Sequence, residues 1–131
     1  MSRFALDLEK TRRRPRQLEE EMQKACTRWF DYAFPNLRLL LHHSPNEGLL
    51  PKTARDGAKR KAMGVRSGFP DFIFLLPRNG YAFFAIELKT KDGRQSDRQK
   101  AYEEAVSTAG GKYEIVRSLD DFMQAITDYL K

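Results

Sequence analysis

Asp71, Glu87 and Lys89 are the residues whose types and spacing point to chemistry. Asp71 follows Gly68-Phe69-Pro70 and leads into the apolar run Phe72 to Leu76, and Glu87 and Lys89 close a second apolar run that begins at Tyr81. Both runs have strand length and are rich in Phe, Ile and Tyr. Pro77-Arg78-Asn79-Gly80 between them has turn composition, so the stretch predicts an antiparallel hairpin. Closing that hairpin near Asn79-Gly80 brings Asp71 and Glu87 to the same end of the ribbon. Side chains alternate along a strand, which sends Glu87 and Lys89 to one face and Leu88 to the other. Two carboxylates and an ammonium then converge on one patch. A hard divalent ion takes oxygen ligands, and Mg²⁺ typically uses only one or two carboxylates, with water and phosphate oxygens completing its shell. Asp71 and Glu87 supply such a pair. Each charge alone reads as a turn cap or a surface pair, but three charges bounding two runs that look buried need a reason.

Periodicity supplies the elements that must position these groups. Leu18, Met22, Ala25, Cys26, Trp29 and Ala33 recur at helical spacing, which predicts an amphipathic helix over residues 17–34, stopped by Pro35-Asn36. Glu19 lies beside one edge of that stripe with Gln23 a turn later, Glu21 lies beside the other edge, and Glu20 points away. Spacing alone does not separate Glu19 from Glu21. Leu37 to Leu41 reads as a short strand, and His42 to Gly48 as a loop. The adjacent histidines would point to opposite faces, and no Cys or spaced His completes a zinc site, so a zinc reading is set aside. Thr53 is a plausible N-cap for a helix from Ala54 to Met63 carrying Arg55, Lys59, Arg60 and Lys61, with Lys52 and Arg66 flanking it. This segment enters the hairpin directly, and its clustered basic residues are what a phosphate-tracking groove needs.

After Lys89 a loop over residues 90–94 leads to a predicted helix from Gln95 to Ala109, capped near Ser96, with Ala101, Tyr102, Ala105 and Val106 facing in. Gln99 and Lys100 fall in its first turns, beside the end of the Glu87 strand. Gly110-Gly111 ends the helix, Tyr113 to Val116 forms the last strand, and Ser118 caps a helix with Phe122, Ile126 and Leu130 as its apolar stripe. The order is helix, strand, inserted basic helix, two strands, helix, strand, helix, which is that of an α/β chain.

Composition bounds the function. A chain of 131 residues is expected to be one domain. Its 24 Lys and Arg against 18 Asp and Glu give +6, which favours a polyanionic partner. The single Cys26 rules out an internal disulfide and a Cys-based zinc cluster, and reads as a small buried hydrophobe in a reducing compartment. No apolar run approaches the roughly 20 residues of a membrane span, and no signal-peptide pattern opens the chain, so a cytoplasmic protein is expected. Residues 1–16 read as a basic arm, with a short helix around Phe4 to Lys10 and a contact segment for DNA or a second subunit, or a solvated tail, at Thr11 to Arg16. Residues 17–131 form the domain proper.

Pro70-Asp71 followed by Glu87-Leu88-Lys89 resembles the PD-(D/E)XK nuclease signature. Gly68-Phe69-Pro70-Asp71 and Gly93-Arg94-Gln95-Ser96-x-x-Gln99-Lys100 are similar to two elements of its VRR-NUC family, and the resemblance runs from about residue 17 to 130. It implies a restriction-endonuclease-like α/β core, a mixed β-sheet flanked by helices, and a Mg²⁺-dependent DNA endonuclease in which Mn²⁺ substitutes. The implied metal ligands are Asp71, Glu87, the Leu88 carbonyl and Glu19, the last directly or through water. Glu19 is preferred over Glu21 because the family's first helix carries a Glu ahead of a Gln and a Trp at the spacing of Glu19, Gln23 and Trp29. Lys89 would bind the attacking water or the scissile phosphate, and Gln23 and Gln99 would orient water and ligands. Asn46 matches a loop Asn of the family. With Lys52, Arg55, Lys59, Arg60, Lys61, Arg66, Ser96 and Lys100 it makes up the expected DNA contacts. The resemblance to stand-alone phage-type members implies DNA repair or replication, a branched substrate, and a homodimer of the Holliday-junction-resolvase kind. The rivals are a flap or restriction-type endonuclease and a non-catalytic DNA-binding module, the latter disfavoured by intact Asp71, Glu87 and Lys89.

Overall fold

The computed structural model describes residues 15–44 and 53–131. The expected helix at Phe4 to Lys10, most of the basic arm, Asn46 and Lys52 lie outside the described residues. The chain begins with helix α1, Pro15–Ala33. Its buried line is Cys26 and Phe30, with Met22 and Trp29 packed beside them. Phe30 therefore joins the expected stripe, whereas Leu18 and Ala33 are exposed.

A 3-10 turn over Pro35–Leu40 then leads into strand β1, Leu41–His43. This corrects the strand expected over Leu37 to Leu41 and the loop expected from His42. Pro35 pre-sets the helical φ at the start of the turn. A repeat of three residues puts Leu37 and Leu40 together against the core while Arg38 and Leu39 face out. Strand character begins only where β1 finds a partner.

The remaining elements are helix α2 (Ala54–Ala62), strands β2 (Phe72–Phe74) and β3 (Phe84–Leu88), helix α3 (Asp97–Thr108), strand β4 (Lys112–Val116) and helix α4 (Leu119–Leu130). The strands form one mixed sheet in the order β1-β2-β3-β4. The first three pair antiparallel and β4 pairs parallel to β3, which requires the crossover that α3 supplies. The hairpin turn closes at Asn79 (φ 52°) and Gly80 (φ 83°), the left-handed pair that matches strand twist. Arg78 and Tyr81 exchange both backbone hydrogen bonds across it, at 3.1 and 2.8 Å. The paired strands are shorter than the apolar runs. Leu75 N–H turns to the Leu40 carbonyl (2.9 Å) and Ala82 N–H to the Gly110 carbonyl (2.9 Å), so the middle of the hairpin serves its outer neighbours instead.

The two faces of the sheet differ in chemistry. Phe72, Phe74, Phe84, Ile86 and Leu88 form the apolar face, covered by α1 and α4. Ring contacts cross that layer from Phe30 to Phe74 (5.4 Å), Phe72 to Phe122 (5.4 Å) and Phe84 to Tyr129 (4.8 Å). Each such buried ring contributes about 1.5–3 kcal/mol. Alternation sends Ala85 and Glu87 to the opposite face, under α3. There the structure differs again from expectation: Ala101 and Ala105 are exposed, and the residues of α3 that are buried are Gln99 and Val106.

Candidate active site

Asp71 is held from both sides. The register pairs Phe72 with Ile86, so Asp71, one step before β2, stands opposite Glu87 and shares its face. Its Oδ2 accepts the Leu88 N–H at 2.7 Å. Its own carbonyl accepts the Ser44 N–H at 2.9 Å and the His43 Nδ1–H at 2.9 Å. Strand β3 thus fixes the carboxylate while β1 fixes the main chain. His43, passed over in the sequence once zinc was set aside, proves to be a support for Asp71. Only the β1–β2 register could have revealed this.

Glu87 is only 1% exposed. Its Oε1 accepts from Gln99 Nε2 at 2.8 Å, and the Tyr113 hydroxyl donates to Oε2 at a longer 3.4 Å. Gln99 does two jobs. Its Oε1 accepts the Ser96 N–H (2.8 Å) while its own N–H donates to Ser96 Oγ (3.2 Å), which completes a capping box at the start of α3. The same side chain therefore caps a helix and grips the buried carboxylate. Gln95 Nε2 lies 3.3 Å from the Tyr113 hydroxyl and 3.4 Å from Glu103 Oε1. Burial, and next the charge of Glu87, push the Tyr113 phenol well above its ordinary range, so it stays a donor. Tyr113 was not foreseen, because its side of β4 depends on the parallel pairing with β3.

The turn into Asp71 docks on this helix start. Gly68 has φ +82°, and a Cβ there would lie 2.7 Å from Arg98 Cβ. Only glycine permits that approach. Phe69 packs edge-on to Tyr102 at 5.4 Å, and Arg98 Nη1 donates to Ser67 Oγ. The Gly-Phe-Pro-Asp element is thereby one surface with the N-terminus of α3.

Lys89 is the third member of the patch. Its backbone N–H donates to the Val116 carbonyl at 2.9 Å and the residue is 9% exposed. Among the described residues, none of the hydrogen bonds or ion pairs engages its ammonium. The burial is that of its stem, and the ammonium at the tip still reaches solvent. Leu88 is nearly buried with its side chain in the core.

The other expected residues are placed more loosely. Glu19 and Gln23 are half-buried on α1, in helical register with Cys26 and Phe30. Glu21 is exposed. Gln23 also lines an open cleft along α1 with Lys24, Thr27, Arg28 and Asp31. Among the described residues no three His, Cys, Asp or Glu side chains gather closely enough to hold a metal ion. Glu19 thus does not join Asp71 and Glu87 as a third direct ligand in this conformation. A pair of carboxylates on one face still fits Mg²⁺, which commonly binds through one or two with the rest water. Ser96 caps α3 with its oxygen, and Lys100 is exposed beside it. Thr53 caps α2 as expected, accepting from Asp56 N at 3.1 Å. Arg55, Lys59, Lys61 and Arg66 are exposed and Arg60 is half-buried.

Comparison with known proteins accords with this geometry. No curated protein matches the chain significantly. A solved structure described as a VRR_NUC domain protein superposes with a TM-score of 0.74 at 27% identity, covering 86% of this chain and 87% of that one. The model of the VRR-NUC domain family matches residues 9–120. With Pro70-Asp71 and Glu87-Leu88-Lys89 at the same end of two adjacent strands of the expected mixed sheet, the chain belongs to the VRR-NUC family of nucleases.

Proposed function

We infer that this chain is a Mg²⁺-dependent endonuclease of branched DNA, acting as a two-fold dimer with a preference for four-way junctions. The observation that carries the reading is the pairing of two fixed carboxylates, Asp71 and Glu87, with Lys89, whose side chain is mostly buried on the same face. A divalent ion held by Asp71, Glu87 and the Leu88 carbonyl would neutralise phosphate charge and acidify a water for in-line attack. The protein's own groups do the rest. Lys89 offers a cation to the scissile phosphate or the attacking water, pre-placed at no reorganisation cost. Gln99 and Tyr113 keep Glu87 in one orientation, as supports of a ligand set commonly do. Glu19 and Gln23 act through hydrogen-bonded water, and Arg55, Lys59, Arg60, Lys61, Arg66 and Lys100 track the flanking phosphates. Among the described residues one chain carries one such patch, so opposed cuts at a junction call for two chains related by a two-fold axis.

The deciding experiment incubates labelled single strands, duplexes, flaps and four-way junctions with the protein in Mn²⁺, in Mg²⁺ and in EDTA. Cleavage that needs the ion, favours branched DNA and disappears in Asp71→Asn and Glu87→Gln while DNA binding persists is the expected result. Near-wild-type turnover in either variant would falsify the metal-site assignment. Linearisation of a cruciform plasmid, with a solution mass of about twice the chain, tests the dimer. Nicked circles from a monomer would instead favour the flap or single-nick alternative.

A further inference from the structure

Helix α2 is built unlike the other helices. None of its residues is buried, and its last turn carries Lys59, Arg60 and Lys61. It ends in a well-formed Schellman turn. Gly64 takes φ +99°, its N–H donates to the Lys61 carbonyl (3.1 Å), and the Val65 N–H donates to the Arg60 carbonyl (3.0 Å). In this motif the residue after the glycine usually folds its apolar side chain back onto the helix three or four places from the cap. Here those places are Arg60 and Lys59, so the usual apolar partner is missing. Val65 is left 47% exposed, and Met63, the cap residue itself, is 74% exposed. Two exposed apolar side chains thus stand on one hydrogen-bonded turn, flanked along the chain by Lys59, Arg60, Lys61 and Arg66, a few residues before Asp71.

A basic rim around an apolar tip is complementary to one kind of surface above others. Phosphates satisfy the rim, and the unstacked face of a base pair satisfies the tip. Linear duplex hides such faces inside the stack, whereas a branch point exposes them. DNA-bending proteins use Met, Leu, Ile or Phe in this way, inserting them between base steps. We propose that Met63 and Val65 form an apolar wedge that packs on the open base-pair face at a DNA branch point, while Arg55, Lys59, Lys61 and Arg66 grip the adjoining phosphates. The proposal rests on the nuclease reading above and gives it a source of structure selectivity. The wedge discriminates by shape, and the cations around it supply affinity for any duplex.

The near-isosteric double substitution Met63→Gln with Val65→Thr tests this in the full-length chain, and the exposure of both sites leaves the fold intact. Binding is measured without divalent ion, so that nothing is cut, to a four-way junction and a linear duplex of matched sequence with 2-aminopurine beside the branch point. Wild type is expected to raise the 2-aminopurine fluorescence on the junction. The double variant should lose that rise and bind the junction about tenfold more weakly. Its linear-duplex affinity and its salt slope should be retained, since every phosphate-binding cation is kept. Equal junction affinity and equal fluorescence in both proteins would overturn the wedge, and junction cleavage by the wild type would show that the nuclease reading survives. Loss of dimer mass in the variant would make the tip a protein contact and also overturn it. Failure of the wild type to bind or cut any DNA would remove both ideas together.

Discussion

Lys89 and Glu87 are both buried, yet the structure treats them oppositely. Glu87 has partners on each oxygen, whereas the ammonium of Lys89 has no hydrogen bond or ion pair among the described residues. Its stem is buried while the ammonium reaches solvent, so an apolar side chain of similar length should pack in its place without loss. Lys89→Met is expected to leave the melting temperature close to that of the parent while lowering cleavage by about 10²-fold. A variant both inactive and less stable would show that the ammonium is structurally satisfied. Tyr113→Phe removes one donor from Glu87 and should raise the Mn²⁺ concentration needed for half-maximal cleavage by roughly tenfold. Unchanged metal demand would reduce Tyr113 to packing. Cys26 bears no chemistry. Burial pushes its thiol from 9.0 up to about 12, so the unfolded chain loses this proton first. The group's contribution is complete below pH 9.0 and is lost as pH rises from there toward about 12. Native protein at about pH 8 should resist thiol-modifying reagents and react once unfolded in guanidinium.

Between elements, the site depends on how α3 starts. Gln99→Ala removes half of the capping box and the grip on Glu87 in one change, so stability should fall by about 2 kcal/mol. Thermal melts of Gln99→Ala beside Ser96→Ala separate the two effects: Ser96→Ala should destabilise by about 1 kcal/mol through the cap alone. Equal losses would mean that the Glu87 contact contributes nothing. Gly68→Ala combines an unfavourable φ with a clash on Arg98 Cβ, and is expected to cost about 1–3 kcal/mol and to displace Asp71. Arg117 supports the loop on the other flank. Its guanidinium donates to the carbonyls of Thr90 (2.8 Å), Lys91 (3.3 Å) and Gly93 (2.7 Å), which shapes the chain between Lys89 and α3.

At the scale of the molecule, the net charge of +6 is unevenly deployed. Helix α2 carries four of the basic side chains and only Asp56 against them. Replacing Lys59, Arg60 and Lys61 together by Ala should weaken binding to duplex, flap and junction alike. The salt dependence should flatten by about one unit for each phosphate that is no longer neutralised. A salt slope equal to that of the wild type would make the helix a solvated face. Because none of its residues is buried, the triple variant should melt within about 0.5 kcal/mol of the parent. No helix among the described residues is long and apolar enough to cross a membrane.

The chain's pattern alone determined a great deal. Asn79-Gly80 announces a left-handed two-residue turn, Ser96, Thr53 and Ser118 announce helix starts, and period-two alternation puts Glu87 and Lys89 on one face. These are local preferences of φ, capping and pleat, and local preferences are written residue by residue. The ordered Pro-Asp and Glu-Leu-Lys elements carried the family as well. What remained hidden was whatever depends on a distant partner. Leu37 to Leu40 has strand composition, yet Pro35 and packing of every third residue made it a 3-10 turn. Ala101 and Ala105 look apolar enough to face inward, but α3 turns Gln99 in instead, because a buried carboxylate on β3 needs its amide. His43 and Tyr113 acquired their places from strand registers, β1 on β2 and β4 beside β3, which no window along the chain contains. Hydrogen bonds between strands remote in sequence decide those registers, and only the assembled sheet specifies which side chains meet.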